Sequence, residues 1–63
     1  MRVYVVTRRD DPFELPCGVF DTLRECAEYI GITLDYLKHC RYHPCSLYVT
    51  KYFVVEGVVL ENN

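Results

Sequence analysis

His39-Cys40-x-x-His43-x-Cys45 places four side chains of metal-binding type within seven positions. Thiolates and imidazoles hold zinc tetrahedrally, but structural sites pair a Cys-x₂₋₄-Cys knuckle with a second pair set well apart. Here the four groups are crowded, and Cys40 also fits an apolar helical stripe, so no metal and no cofactor is expected. A cysteine near a histidine is equally the raw material of a nucleophile and its base. No third residue is placed to orient such a pair, and the chain holds no Gly-rich phosphate loop. No catalytic residue is assigned, and the chain is expected to be non-enzymatic.

A second set of residues suits contact rather than catalysis. Tyr36, Tyr42, Tyr48 and Tyr52 are interleaved with Lys38, His39, Arg41, His43 and Lys51, and no acid occurs from Tyr36 to Val55. Aromatic rings beside cations can stack bases. The same tyrosines can instead cover a small core with their rings while the hydroxyl stays wet, or anchor a protein interface. Acids dominate the earlier segment: Asp10, Asp11, Glu14, Asp21, Glu25 and Glu28. The net charge of −2 counts against tight binding to a polyanion, leaving only a weakly basic second half.

Two helices must position these groups. Leu23, Cys26, Ala27 and Ile30 recur at i, i+3, i+4 and i+7, which predicts an amphipathic helix over about 22–30. Thr22 with Glu25 matches a capping box, and Gly31 suits a left-handed C-terminal position. A second helix is expected over about 33–42, with Thr33 as N-cap, Asp35 against the helix dipole and Pro44 as the limit. Leu34, Leu37 and Cys40 would face inward, and Asp35, Lys38, His39 and Tyr42 outward.

Strands complete the domain. Arg2 to Thr7 is dense in β-branched and aromatic residues, and Phe13 to Phe20 alternates with a period of two. Pro16 confines that second strand to an edge or a bulge, and the polar turn Arg8-Arg9-Asp10-Asp11-Pro12 would join the two as a hairpin. A last strand is expected over about 50–60, with Glu56-Gly57 as a bulge within it, the favoured reading, or as a tight turn splitting it in two; Cys45 to Val49 reads as either loop or strand. The expectation is one α+β domain over residues 1–63 in the order β-β-α-α-β, a three-stranded antiparallel sheet covered on one face by the helix pair. At 63 residues the core is near the lower limit for independent folding. Apolar runs are too short to span a membrane or to serve as a signal peptide, so a cytoplasmic chain with its four cysteines as thiols is expected.

Ala27, Gly31 and Leu37, supported by Cys26, Ile30, Ile32 and Cys40, have the spacing of bacterial helix-turn-helix motifs. The longer string G-V-F-D-T-L-R-E-C-A-E-Y-I-G-I-T resembles the nuclease-associated modular domains found with homing endonucleases. The resemblance covers about residues 18–42 and implies contact with double-stranded DNA through the second helix. Thr33, Lys38, His39, Arg41 and Tyr42 are the candidate DNA-binding residues, in an accessory or regulatory factor of a phage or mobile element. Asp35 departs from the pattern, placing a negative charge where base edges and phosphates would be met. The alternative is a protein-interaction or homodimerisation module built on the same helices and sheet, without nucleic-acid binding.

Overall fold

The computed structural model describes residues 1–42 and 47–60. Strand β1 (Arg2–Arg8) pairs antiparallel with β2 (Pro16–Phe20) on one side and with the C-terminal β5 (Phe53–Val59) on the other. Between β2 and β5 come helices α1 (Leu23–Ile30) and α2 (Leu34–His39) and two short strands, β3 (Arg41–Tyr42) and β4 (Leu47–Val49). The sheet order is β2-β1-β5-β4-β3, antiparallel throughout.

The sheet therefore has five strands rather than the expected three. The difference arises after α2, which ends at His39 instead of continuing to residue 42. Cys40 closes the helix by donating its N–H to the carbonyls of Leu37 and Lys38. Arg41 and Tyr42 then exchange helical bonding for a ladder, opposite Tyr48 and Leu47 of β4. The Cys40 carbonyl joins that ladder by accepting from the Val49 N–H at 3.0 Å. Pro44 lies outside the described residues, and the helix stops well before it.

Two further expectations need correction. Residues 13–15 are not strand: the Asp11 carboxylate accepts from the Phe13 and Leu15 N–H groups at 2.9 and 3.3 Å, and its carbonyl accepts from Glu14. That Asx-type turn takes the donors a ladder would need, leaving Phe13 and Leu15 79% and 62% exposed. Glu56-Gly57 is not a bulge either, because β5 keeps one register with β1 through Val5↔Glu56 and Tyr4↔Gly57. The irregularity falls in the β1–β2 pairing, between Val6 and Thr7. β5 itself spans Phe53–Val59, a shorter segment than the expected 50–60.

The helix ends follow their local chemistry. Thr22 accepts from the Glu25 N–H at 3.2 Å and donates its hydroxyl to the Glu25 carboxylate at 3.1 Å. Gly31, at φ 92°, terminates α1, with its N–H on the Ala27 carbonyl at 2.8 Å. Thr33 caps α2 by accepting from the Tyr36 N–H at 3.1 Å. Each cap satisfies a helix-end donor or acceptor that would otherwise need water.

The helices cover one face of the sheet. Val6 of β1 and Val55 of β5, register partners, are buried with Cys26 and Ala27 of α1 and Leu37 of α2. Tyr4, Phe20, Tyr48 and Phe53 complete the packing from the same face of their strands. Phe20 folds back so closely over Gly18 that a Cβ there would meet its ring at 2.7 Å, and the ring packs on Tyr29 at 5.3 Å. Arg9 ties the β1–β2 turn to the β4–β5 turn, its N–H on the Tyr52 carbonyl and its guanidinium on the Thr50 carbonyl.

Candidate interaction surface

The five residues expected to contact DNA do not assemble into one face. The Thr33 hydroxyl is engaged in capping α2. Lys38 and His39 lie in the last turn of a helix only six residues long, and the His39 ring folds back on its own helix with Nδ1 2.7 Å from the Asp35 carbonyl. Arg41 and Tyr42 belong to β3, where successive side chains point to opposite faces of the sheet. The outward stripe expected to run from Asp35 to Tyr42 is thus interrupted after His39.

The electrostatics of the helix pair are equally divided. A shallow recess between α1 and α2 is bordered by Arg24, Glu28, Thr33 and Asp35, two carboxylates to one guanidinium. Glu28 and Asp35 are both exposed, and their carboxylates would repel a phosphate approaching this recess. The four tyrosines do not form a stacking platform either. Tyr48 is half-buried against the core, Tyr42 lies on β3, and Tyr36 and Tyr52 flank a separate apolar cleft with Ile30, Ile32 and Phe53. Lys51 sits at the rim of that cleft, its Nζ 5.3 Å from the centre of the Tyr52 ring. Of the His39–Cys45 cluster, His43 and Cys45 lie outside the described residues, while Cys40 is half-buried at the end of α2.

The surface that stands out lies on the other side of the sheet. Where Val6 and Val55 point toward the helices, the alternate residues Val3, Val5 and Thr7 of β1 and Val54, Glu56 and Val58 of β5 point away. Val19 of β2, opposite Val5, and Leu47 and Val49 of β4, opposite Glu56 and Val54, extend the same face. No helix of the described chain lies over it; Val3, Val5, Thr7, Leu47, Val49, Val54 and Val58 are half-buried, Glu56 is exposed, and Val19 is 58% exposed. At one end the face meets the 9–15 turn, forming an open groove of about 520 Å³ bordered by Thr7, Leu47 and Val54 and by the charged Arg8, Arg9, Asp11, Glu14 and Glu56. Glu56 is the single formally charged residue on β1 and β5 that points to this side.

The signal for this surface was present in the strands themselves. A sheet with one solvated face alternates apolar with polar residues, whereas strands covered on both sides read as continuous apolar runs. Val3-Tyr4-Val5-Val6 and Phe53-Val54-Val55 are continuous, so both faces of β1 and β5 are made for burial. No helix of the described residues is long and apolar enough to cross a membrane. Comparison with family models, with curated proteins and with solved structures gives no match.

Proposed function

We propose that this chain is a non-enzymatic protein-interaction module that works through the open face of its sheet. The observation that carries this reading is the contiguous apolar surface of Val3, Val5, Val19, Val54, Val58 and Val49, left without cover opposite the helix-covered side. Exposed apolar patches of this kind mark association sites on soluble domains. The helix pair then serves as the scaffold: Ala27, Gly31 and Leu37 let α1 and α2 pack closely and hold the sheet from behind. In this reading the chain does not bind nucleic acid, because Glu28 and Asp35 border the recess between the helices and Arg41 and Tyr42 point to opposite faces of the sheet.

The test sets the two surfaces against each other. Wild-type protein, Val54→Lys and the pair Lys38→Ala/Arg41→Ala are each titrated with an apolar fluorescent dye and with random duplex DNA at low salt. The proposal expects dye binding that Val54→Lys removes and the alanine pair leaves intact, and no DNA binding by any of them. DNA binding that weakens with salt, is lost in the alanine pair and survives Val54→Lys would replace it with the helix-turn-helix function.

A further inference from the structure

We propose that the cleft between the helix pair and the β4–β5 turn binds a small aromatic carboxylate, one ring carrying a single negative charge. The site is separate from the open sheet face and does not depend on the interaction reading of that face.

Two segments far apart in sequence build the cleft. Ile30 and Ile32, on either side of the left-handed Gly31, line it together with Tyr36, while Tyr52 and Phe53 line it from the sheet. Ile30, Ile32 and Phe53 are half-buried and pack on the core, whereas Tyr36 and Tyr52 are 56% and 64% exposed. An apolar base flanked by two open rings suits a flat apolar group that can stack on them or meet them edge-on. The volume of about 260 Å³ falls below the roughly 300–1,000 Å³ of sites for drug-sized ligands, so one ring with a short arm fits. A polycyclic dye is too large for it, which keeps the dye titration of the sheet face independent of this site.

Charge selects among such ligands. Lys51 is the one formally charged residue among the described residues that line the cleft. The Tyr52 ring holds its ammonium at the rim, with Nζ 5.3 Å from the ring centre, and it forms no ion pair with a described carboxylate. Asp35, next to Tyr36 in sequence, borders the recess between α1 and α2 instead. An apolar lining with one cation at its mouth complements an apolar body that ends in an anion, and it repels a cationic ligand of the same shape.

Both sides of the cleft are held in place by the chain's own hydrogen bonds. The Thr50 hydroxyl accepts from the Phe53 N–H and donates to the Phe53 carbonyl, both at 3.0 Å. Arg9 fixes the same turn through the Tyr52 and Thr50 carbonyls. On the helix side, the Gly31 and Ile32 N–H groups both bond the Ala27 carbonyl, at 2.8 and 3.0 Å, and Thr33 caps α2 at the Tyr36 N–H. A site ordered beforehand loses less entropy on binding, which weighs heavily for a ligand of about ten non-hydrogen atoms.

Titration of the isotope-labelled chain, followed by amide chemical shifts, tests this with phenylacetate, neutral phenylacetamide, cationic phenethylamine, and acetate, which has the charge without the ring. Phenylacetate should shift the amides of Ile32, Tyr36 and Lys51 to Phe53 saturably. Phenylacetamide should bind about threefold more weakly, the weight of an exposed ion pair, and phenethylamine and acetate should leave these amides unmoved. Lys51→Ala should erase the preference for carboxylate over amide, and Tyr52→Ala should weaken both. Val54→Lys, on the opposite face of the sheet, should change neither. The absence of saturable shifts up to about 20 mM phenylacetate overturns the proposal, as does a preference that survives Lys51→Ala or an equal response to acetate. Shifts at these amides from an acidic phenylalanine-containing peptide, with none from phenylacetate, would also overturn it and make the cleft a peptide site.

Discussion

Val6 of β1 lies directly opposite Val55 of β5, and both side chains are fully buried beneath the helices. One step along either strand the environment inverts. Val5 and Val54 turn to the uncovered side of the same sheet, with Glu56 and Thr7 as their partners across the two strands. The four valines are chemically identical and differ only in which layer meets them. The pair Val6–Val55 fixes the domain's own core, while Val5 and Val54 give the sheet its second apolar face.

That inversion predicts unequal responses to the same deletion. Val55→Ala removes two methyl groups from a site with no exposed surface and should cost about 2–3 kcal/mol. Val54→Ala, measured by urea unfolding at low micromolar concentration, should cost under about 1 kcal/mol, because its side chain is only half-buried. Equal costs at low concentration would contradict the one-sided core.

The helices were the most legible part of the sequence, because Thr22, Gly31 and Thr33 each carry a local mechanism that tertiary structure did not override. The longest strands were also evident from their β-branched residues. What escaped was decided by partners remote in sequence. Arg41-Tyr42 and Leu47–Val49 are too short to carry a periodic signal, and they become strands by pairing with each other and with β5. Tyr42 extended the apparent helical stripe by chance of spacing. Phe13 and Leu15 alternated convincingly, but the Asp11 carboxylate captured their N–H groups. Lys38, His39, Arg41 and Tyr42 share a face only on a continuous helix; α2 ends at His39, which puts Arg41 and Tyr42 on the sheet.

Among the described residues two adopt left-handed backbone conformations, Gly31 at φ 92° and Glu14 at φ 53°. A Cβ on Gly31 would meet no heavy atom within 4 Å, so Gly31→Ala isolates the backbone term and should destabilise by about 1–2 kcal/mol. At Glu14 the strain is already present, and Glu14→Asn should stabilise by about 0.5 kcal/mol, since Asn tolerates this region better. Thermal unfolding of the two variants should therefore move the midpoint in opposite directions.

Arg9 should act as a fastener between two turns. Its guanidinium donates to the Thr50 carbonyl at 3.0 Å, and Thr50 in turn accepts from the Phe53 N–H and donates to the Phe53 carbonyl, both at 3.0 Å. Arg9→Ala leaves that carbonyl to water and should cost about 1 kcal/mol, a modest loss because the guanidinium is exposed. The sharper readout is hydrogen exchange. Protection should fall at Phe53 and at residue 9 itself, while amides in α1 keep their rates.

Cys26 makes folding sensitive to alkaline pH. Burial, reinforced by the neighbouring Glu25 carboxylate, pushes its thiol up from 9.0 to about 11, because the thiolate would lose its hydration inside the core. The folded chain therefore keeps the proton between these values while the unfolded chain releases it. Stability is fully present below about pH 9 and declines as pH rises toward 11. Cys26→Ala should remove that part of the decline, although it also leaves a small cavity that lowers stability at every pH. The same burial predicts ordered thiol chemistry. Cys17 is exposed on β2 and Cys26 is fully buried, so an alkylating reagent at pH 8 should label Cys17 in the native chain and reach Cys26 only on unfolding. Mass mapping of the labelled peptides reads the order directly, and rapid native labelling of Cys26 would mean that α1 does not seal the core.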